Sequence, residues 1–296
     1  MVGHRAPVLV LLAVFMWSWL GPMGKMVYAL GATAYQLVAF RVLFAWAALL
    51  PWAIRGGWWK IRPRSIPTLF LYSLFSVVFN YLGFYLALQY ISVAAAIVIL
   101  YTYPALVLLL SRIFLKEPLG RREILALVLT LVGIFLIAQG YRLEQFALNA
   151  PGVGLALLAA FSVAIYNVEG KRLVRDFDPW ALLFWGFTLG AAVLWAAYPW
   201  VGRGFPALPL AGWSLILCIA LFPTLGGYGL YLVALKRMRA GHASLISTLE
   251  PLLAALWAAL VLGERLEALQ AVGGALILGA ASLILWRRLC PRRERR

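Results

Sequence analysis

Two ionisable side chains, Glu250 and Arg41, stand well inside long apolar runs of this sequence. Placing either in a hydrocarbon core costs at least about 2.5 to 3.5 kcal/mol, so each must face protein, water or a ligand. On a helix, Ser244, Ser247, Glu250, Pro251, Ala254 and Ala258 share roughly a third of the circumference, which marks the stripe turned away from lipid. Pro251 also leaves the carbonyl of Ser247 without its usual helical donor. A carboxylate here can hold an ammonium or another cation, or take up a proton and couple its movement to something else. It can equally bond backbone exposed by Pro251 and shape the helix, and the sequence leaves both readings open. Arg41 reads first as a structural charge holding carbonyls around Gly31 or at the end of the first helix; a carboxylate or phosphate ligand is the alternative.

Polar aromatic residues recur at mid-run: Trp17; Asn80, Tyr81 and Tyr85; Tyr101 and Tyr103; Tyr166 and Asn167; Tyr228 and Tyr231. Tyr81 and Tyr85 share a helix face, as do Tyr228 and Tyr231. Buried hydroxyls need partners, and lining a hydrated cavity supplies them while offering planar surface to a ligand. The candidate substrate-binding set is Trp17, Asn80, Tyr81, Tyr85, Tyr101, Tyr103, Tyr228, Tyr231, Ser247 and Glu250, with Glu250 and Arg41 as coupling or structural charges. No catalytic set is expected. His4 and His242 cannot build a metal centre, and Cys218 in an apolar run with Cys290 in the basic tail gives no disulfide framework. No phosphate-binding loop is present, so neither a nucleotide nor another cofactor is expected. An intramembrane enzyme would need paired catalytic groups, and Asp176 and Asp178 in one short loop are a poor source.

The elements that must carry these residues are membrane helices. The chain is 65% hydrophobic and 12% charged, half the roughly 25% charge of a soluble domain. A net charge of +16 would suggest nucleic acid in a soluble protein, but the basic residues gather in short loops. The partners expected are therefore a lipid bilayer and a small-molecule substrate, not nucleic acid. Ten apolar segments are predicted, over 7–24, 33–53, 67–88, 93–115, 122–140, 151–170, 179–199, 211–235, 243–262 and 267–286. The first lacks a small-x-small cleavage site and reads as a retained helix. With the N-terminus inside, the inner segments hold 21 Lys and Arg against four outside, which predicts a multi-pass protein of the cytoplasmic (inner) membrane with both termini cytoplasmic. Trp52, Trp58, Trp59, Trp180, Trp200 and Trp213 fall at segment ends, as interfacial anchors would.

The segments form two copies. Tyr103-Pro104 with Glu117 matches Glu250-Pro251 with Glu264 at an offset of 147, and Leu11 through Lys25 matches Leu157 through Lys171 at 146. Units of 1–140 and 141–296 follow. Five helices per copy put the second into the membrane upside down, so the predicted fold is all-α, ten transmembrane helices as two inverted five-helix repeats around a central cavity. This is the architecture of alternating access, and a single chain suffices for one complete unit. Pro22, Pro104, Pro223 and Pro251 interrupt helices, with Pro223-Thr224-Leu225-Gly226-Gly227 expected to bend the eighth. Gly186 and Gly190 read as a close-packing pair, and Glu169 as a solvated or salt-bridged helix end.

The ordered set of the first helix ending in Gly24-Lys25, Arg41, Tyr103-Pro104 with Lys116-Glu117, Leu249-Glu250-Pro251 with Gly263-Glu264-Arg265-Leu266, and Gly273, Gly274 and Gly279 resembles the EamA family of the drug/metabolite transporter superfamily. The likeness spans about 7–286. It implies a ten-helix transporter with a central cavity, helices five and ten on its outer side, and small organic substrates, often amino acids or related metabolites moved outward. Gly186 stands where the second copy would match Arg41, so any role of that arginine belongs to one half. Export of amino acids or amino-acid-like compounds is the first expectation, by gradient or by facilitated diffusion. Export of lipophilic organic cations is the second, with Glu250 as counter-charge.

Overall fold

The computed structural model describes residues 5–142, 148–262 and 267–289. Within them lie ten helical rods: α1 (Arg5–Ala29), α2 (Ala34–Gly56), α3 (Pro63–Ala87), α4 (Val93–Phe114), α5 (Arg121–Ile137), α6 (Ala150–Leu173), α7 (Pro179–Val201), α8 (Leu210–Arg237), α9 in two pieces (Ala240–Ser247 and Leu249–Leu262) and α10 (Ala268–Leu289). All the rods except α5 and α9 are long and apolar enough to cross a membrane. Gly263-Glu264-Arg265-Leu266, His4 and Cys290 lie outside the described residues.

The sequence writes these ends plainly. Thr33 caps α2 by accepting from the Gln36 N–H at 3.2 Å while Gln36 returns a carbonyl to the Thr33 N–H at 2.8 Å. Asp178 caps α7 through the N–H groups of Trp180 and Ala181 at 2.9 and 3.3 Å, with Pro179 at the first position, where a missing N–H costs nothing. Gly57, at φ 65°, ends α2 in the left-handed region open to glycine. Glu169 pairs with Arg172 at 2.9 Å, one turn away at the end of α6.

Contacts between rods carry the inverted relation. α3 packs on α6 as its counterpart α8 packs on α1, and α4 meets α6 as α9 meets α1. α2 pairs with α7, α4 with α9 and α5 with α10, each against its own counterpart. Small residues set the closest approaches, as expected where lipid leaves packing to hold helices together. At the α5–α10 crossing a Cβ on Gly133 would stand 2.7 Å from the carbonyl oxygen of Gly273, and one on Gly273 would stand 2.6 Å from that of Gly133. The glycine faces of α5 and α10 are thus spent on each other. Gly190 of α7 likewise admits Val77 of α3, where an added Cβ would come within 2.7 Å.

Both third helices of the repeats carry a π-helical turn, Leu74–Phe79 in α3 and Ala220–Gly227 in α8, immediately before Asn80 and Tyr228. The second contains Pro223, which has no N–H to offer the Ile219 carbonyl four residues back, and Thr224 Oγ1 donates to that carbonyl at 2.8 Å. The first has no proline. Instead, Ser73 Oγ donates to the Gly186 carbonyl of α7 at 2.7 Å. Of the tryptophans at segment ends, Trp52, Trp59 and Trp200 are exposed. Trp213 packs edge-on to Phe40 at 4.9 Å, and the Trp180 ring fills the space above Gly229.

Candidate functional site

The first, third and fourth helices of both copies enclose a cavity of about 120 Å³. Trp17 and Leu20 of α1 face it, and so do their repeat counterparts Val163 and Tyr166 of α6. Leu100 and Tyr103 of α4 face it with their counterparts Ser247 and Glu250 of α9. Asn80, Tyr101, Asn167, Tyr228 and Tyr231 complete the wall.

Of the residues singled out in the sequence, Trp17, Asn80, Tyr101, Tyr103, Tyr228, Tyr231, Ser247 and Glu250 are brought together here. Tyr81 and Tyr85 are not on this wall. Tyr81 stands behind Tyr228, ring centroids 5.8 Å apart, and Tyr85 meets Tyr28 edge-on at 6.3 Å. Leu20, Leu100, Val163, Tyr166 and Asn167 lay outside the candidate set. The repeat offset was the signal for two of them, since it carries Trp17 onto Val163 and Ser247 onto Leu100, whereas Tyr166 and Asn167 stood out as polar residues in mid-run.

Why these side chains point inward is local. α9 breaks at Thr248, whose hydroxyl donates to the Leu245 carbonyl at 2.7 Å, and α4 breaks at Thr102, whose hydroxyl donates to the Ile99 carbonyl at 2.7 Å. Each break precedes a proline and turns the following residues toward the centre. Tyr103 and Ser247 share a hydrogen bond of 2.9 Å across the two breaks. Tyr101 and the Glu250 carboxylate both face the cavity. On the other wall Tyr231 donates to Asn167 Oδ1 at 2.5 Å, and the Asn167 amide donates to the Val163 carbonyl at 2.8 Å. Trp17 is wedged between Tyr228 and Tyr231, at 4.9 and 5.0 Å, with its ring nitrogen against Gly227, where a Cβ would come within 2.6 Å. That nitrogen is buried and has no hydrogen-bond partner.

Arg41 is 3% exposed, and its guanidinium lies over the Tyr81 ring, 4.0 Å from the centroid. The sequence suggested backbone carbonyls as its partners. The structure gives it an aromatic sheath, with Nε lacking a partner. No ion pair joins Arg41 to Glu250: α2 packs on α7 and α8, and Tyr81 and Tyr228 stand between the guanidinium and the cavity. Gly186, at the place matching Arg41, borders a void of about 10 Å³ beside Tyr72, Ser76 and Tyr81, room for about one water.

Below the cavity, at the end where the basic loops gather, the Glu117 carboxylate accepts from the Ala240 and Gly241 N–H groups at 3.0 and 3.3 Å, and Glu123 pairs with His242 at 3.1 Å. Glu117 thereby satisfies two of the free donors that begin α9, while Glu123 holds the His242 side chain beside them. Glu117→Ala is expected to lower stability by about 1–2 kcal/mol, the worth of a helix cap. Thermal unfolding in detergent should show this as a fall of roughly 3–6 °C.

An inverted pair of five-helix bundles around an aromatic, carboxylate-bearing cavity is the fold of a multi-pass membrane transporter. The chain belongs to the EamA-like transporter family, whose model matches twice, over residues 4–139 and 150–286. An uncharacterized transporter of Archaeoglobus fulgidus is 29% identical over 280 residues, covering 94% of this chain and 95% of its own. The threonine/homoserine exporter RhtA of Escherichia coli K12 is 28% identical over 260 residues, with coverage of 86% and 81%. A solved crystal structure shares the fold at a TM-score of 0.83 with 19% identity, covering 96% of this chain and 98% of that one.

Proposed function

We propose that this protein is a secondary transporter of the cytoplasmic membrane that exports a small amino acid or amino-acid-like compound by alternating access, with both termini cytoplasmic and one chain as the transport unit. The observation that carries this reading is the cavity itself: about 120 Å³, walled by aromatic rings and amides, with Glu250 as its one carboxylate. Sites for drug-sized ligands run to roughly 300–1,000 Å³. A space of the present size suits a molecule of a few heavy atoms with an ammonium for Glu250 and polar groups for Tyr and Asn. The kinship to a threonine/homoserine exporter supports the same class.

Lipophilic-cation export has one observation in its favour: among the described residues the wall bears a carboxylate and several rings but no Lys, Arg or His. The two readings part in proteoliposomes. Counterflow of labelled threonine, homoserine and other small amino acids is expected, with no movement of a quaternary ammonium compound. Movement of the ammonium compound alone would give the cation reading first place.

A further inference from the structure

The contact between α4 and α9 breaks the symmetry of the two copies. These rods meet through the pieces on the basic side of their breaks, Tyr103–Phe114 and Ala240–Ser247. Among the described residues, the pieces beyond the breaks, Val93–Leu100 and Leu249–Leu262, do not pack on each other. α4 and α9 therefore close the cavity toward the basic loops and stand apart at its far end. Tyr103 and Ser247 form the floor of the closed side through their 2.9 Å hydrogen bond, and Ser247 spends its own proton on the Ser244 carbonyl at 2.9 Å. Beneath the floor, a Cβ on Gly241 would come within 2.6 Å of Leu108.

Inverted repeats exchange conformations as access alternates. The offset of 147 carries Tyr103 onto Glu250, Ser247 onto Leu100, Leu108 onto Ala255 and Gly241 onto Ala94. Shutting the far end thus brings Glu250 to Leu100 as Tyr103 is now brought to Ser247, with Ala94 against Ala255 beyond them. Glu250 and Leu100 already face the cavity from opposite rods. The chemistry of the two closures differs. A hydrogen bond seals the floor, whereas the far pair sets a carboxylate on an alkyl chain that has no donor to give. Removing water from an ionised carboxylate without a charged partner is costly inside a membrane protein. The titratable groups that face Glu250 are the uncharged hydroxyls of Tyr101, Tyr103 and Tyr228. The buried cation Arg41 stands behind Tyr81 and Tyr228.

We propose that Glu250 and Leu100 are the lips of the far gate, and that this gate shuts only over a neutralised Glu250 carrying either a proton or a substrate ammonium. This rests on the cavity being the transport site and adds a coupling rule to it. The empty, ionised site does not turn over, so the protein exchanges and does not leak. A substrate ammonium arriving from the basic side displaces the carboxyl proton of Glu250, which leaves to water on that side. After the substrate is released at the far side, Glu250 takes a proton from water there and returns. One proton moves inward for each substrate molecule moved outward.

The test is a disulfide across the far gate, since a contact as close as that of Gly241 and Leu108 puts two cysteines within bonding reach. Ala94→Cys with Ala255→Cys, in the full chain carrying Cys218→Ala and Cys290→Ala, is oxidised in detergent. Its rate is read as a ratio to that of the same chain with Glu250→Gln, which cancels the titration of the thiols themselves. At about pH 9 without ligand, the chain with Glu250 is expected to close at least about tenfold more slowly than its Gln counterpart. At about pH 5 the two should agree within about threefold. Leu100→Gln, which offers the carboxylate an amide donor, should recover most of the lost rate at the higher pH. A ratio near one at both pH values, or equally low at both, overturns the proposal, as does a failure of every variant to form the disulfide. Saturating L-threonine at the higher pH separates the gate from the amino-acid reading. Faster closure with threonine supports both, while closure driven by acid but indifferent to threonine upholds the gate and counts against threonine as substrate. If Glu250→Gln fails to fold, Leu100→Gln takes its place as the reference.

Discussion

Glu250→Gln is expected to reduce substrate counterflow in proteoliposomes by roughly 10- to 150-fold without lowering the thermal midpoint of the protein. The exchange keeps the shape of the side chain, and removes the one carboxylate among the described residues of the cavity wall. An ammonium held there loses a charge-assisted hydrogen bond worth about 1.5–3 kcal/mol, which sets the range of the loss. Stability moves the other way. A carboxylate at this depth carries an insertion cost of several kcal/mol, and a neutral amide carries less, so the variant should melt no earlier than the parent. A variant that transports normally at every pH would remove Glu250 from the mechanism. One that loses transport and stability together would return it to the shaping of α9.

The second large effect concerns assembly. Gly273→Leu is expected to lower the thermal midpoint by roughly 5–10 °C, or to prevent recovery of folded protein. At that crossing the added carbon meets the Gly133 carbonyl at 2.6 Å, Leu136 Cβ at 2.9 Å and the Ile137 nitrogen at 3.1 Å, two of them backbone atoms that no rotamer change can move. Overpacking of a tight contact costs about 1–3 kcal/mol when neighbours can yield, and here the helices must separate instead. Gly279 is the control on the same helix. Nothing lies within 4 Å of its added Cβ, so Gly279→Ala should melt within about 2 °C of the parent.

Much of this architecture was legible because membranes simplify the physics. Charge excluded from hydrocarbon marks the ends of the helices, and the glutamate and tyrosine before Pro251 and Pro104 disclose the repeat without any knowledge of packing. The same repeat, used as a map, extends the cavity wall from Trp17 to Val163 and from Ser247 to Leu100. What periodicity supplies is a face; it does not say which neighbour the face meets. Tyr81 and Tyr85 share a face that α3 turns partly toward α2, where Arg41 waits, so Tyr81 sheathes a charge behind the cavity wall. Arg41 was readable as a buried cation but not as an aromatic-bound one, since that depends on α2 and α3 being adjacent. Trp213 falls at a helix end in the chain, yet its ring reaches Phe40 between α2 and α8.

The two π-helical turns give the cavity wall a gearing of its own. A helix advances about 100° per residue, so gaining or losing the one extra residue of such a turn rotates everything beyond it by that angle while the rod stays straight. In α3 the part beyond the turn carries Asn80, and in α8 it carries Tyr231, both on the cavity wall. Retracting one turn as the other persists would swing one of these side chains through a quarter revolution against a stationary partner. The substrate path would then change shape by torsion along single rods, with the paired glycine contacts of α5 and α10 acting as the fixed frame.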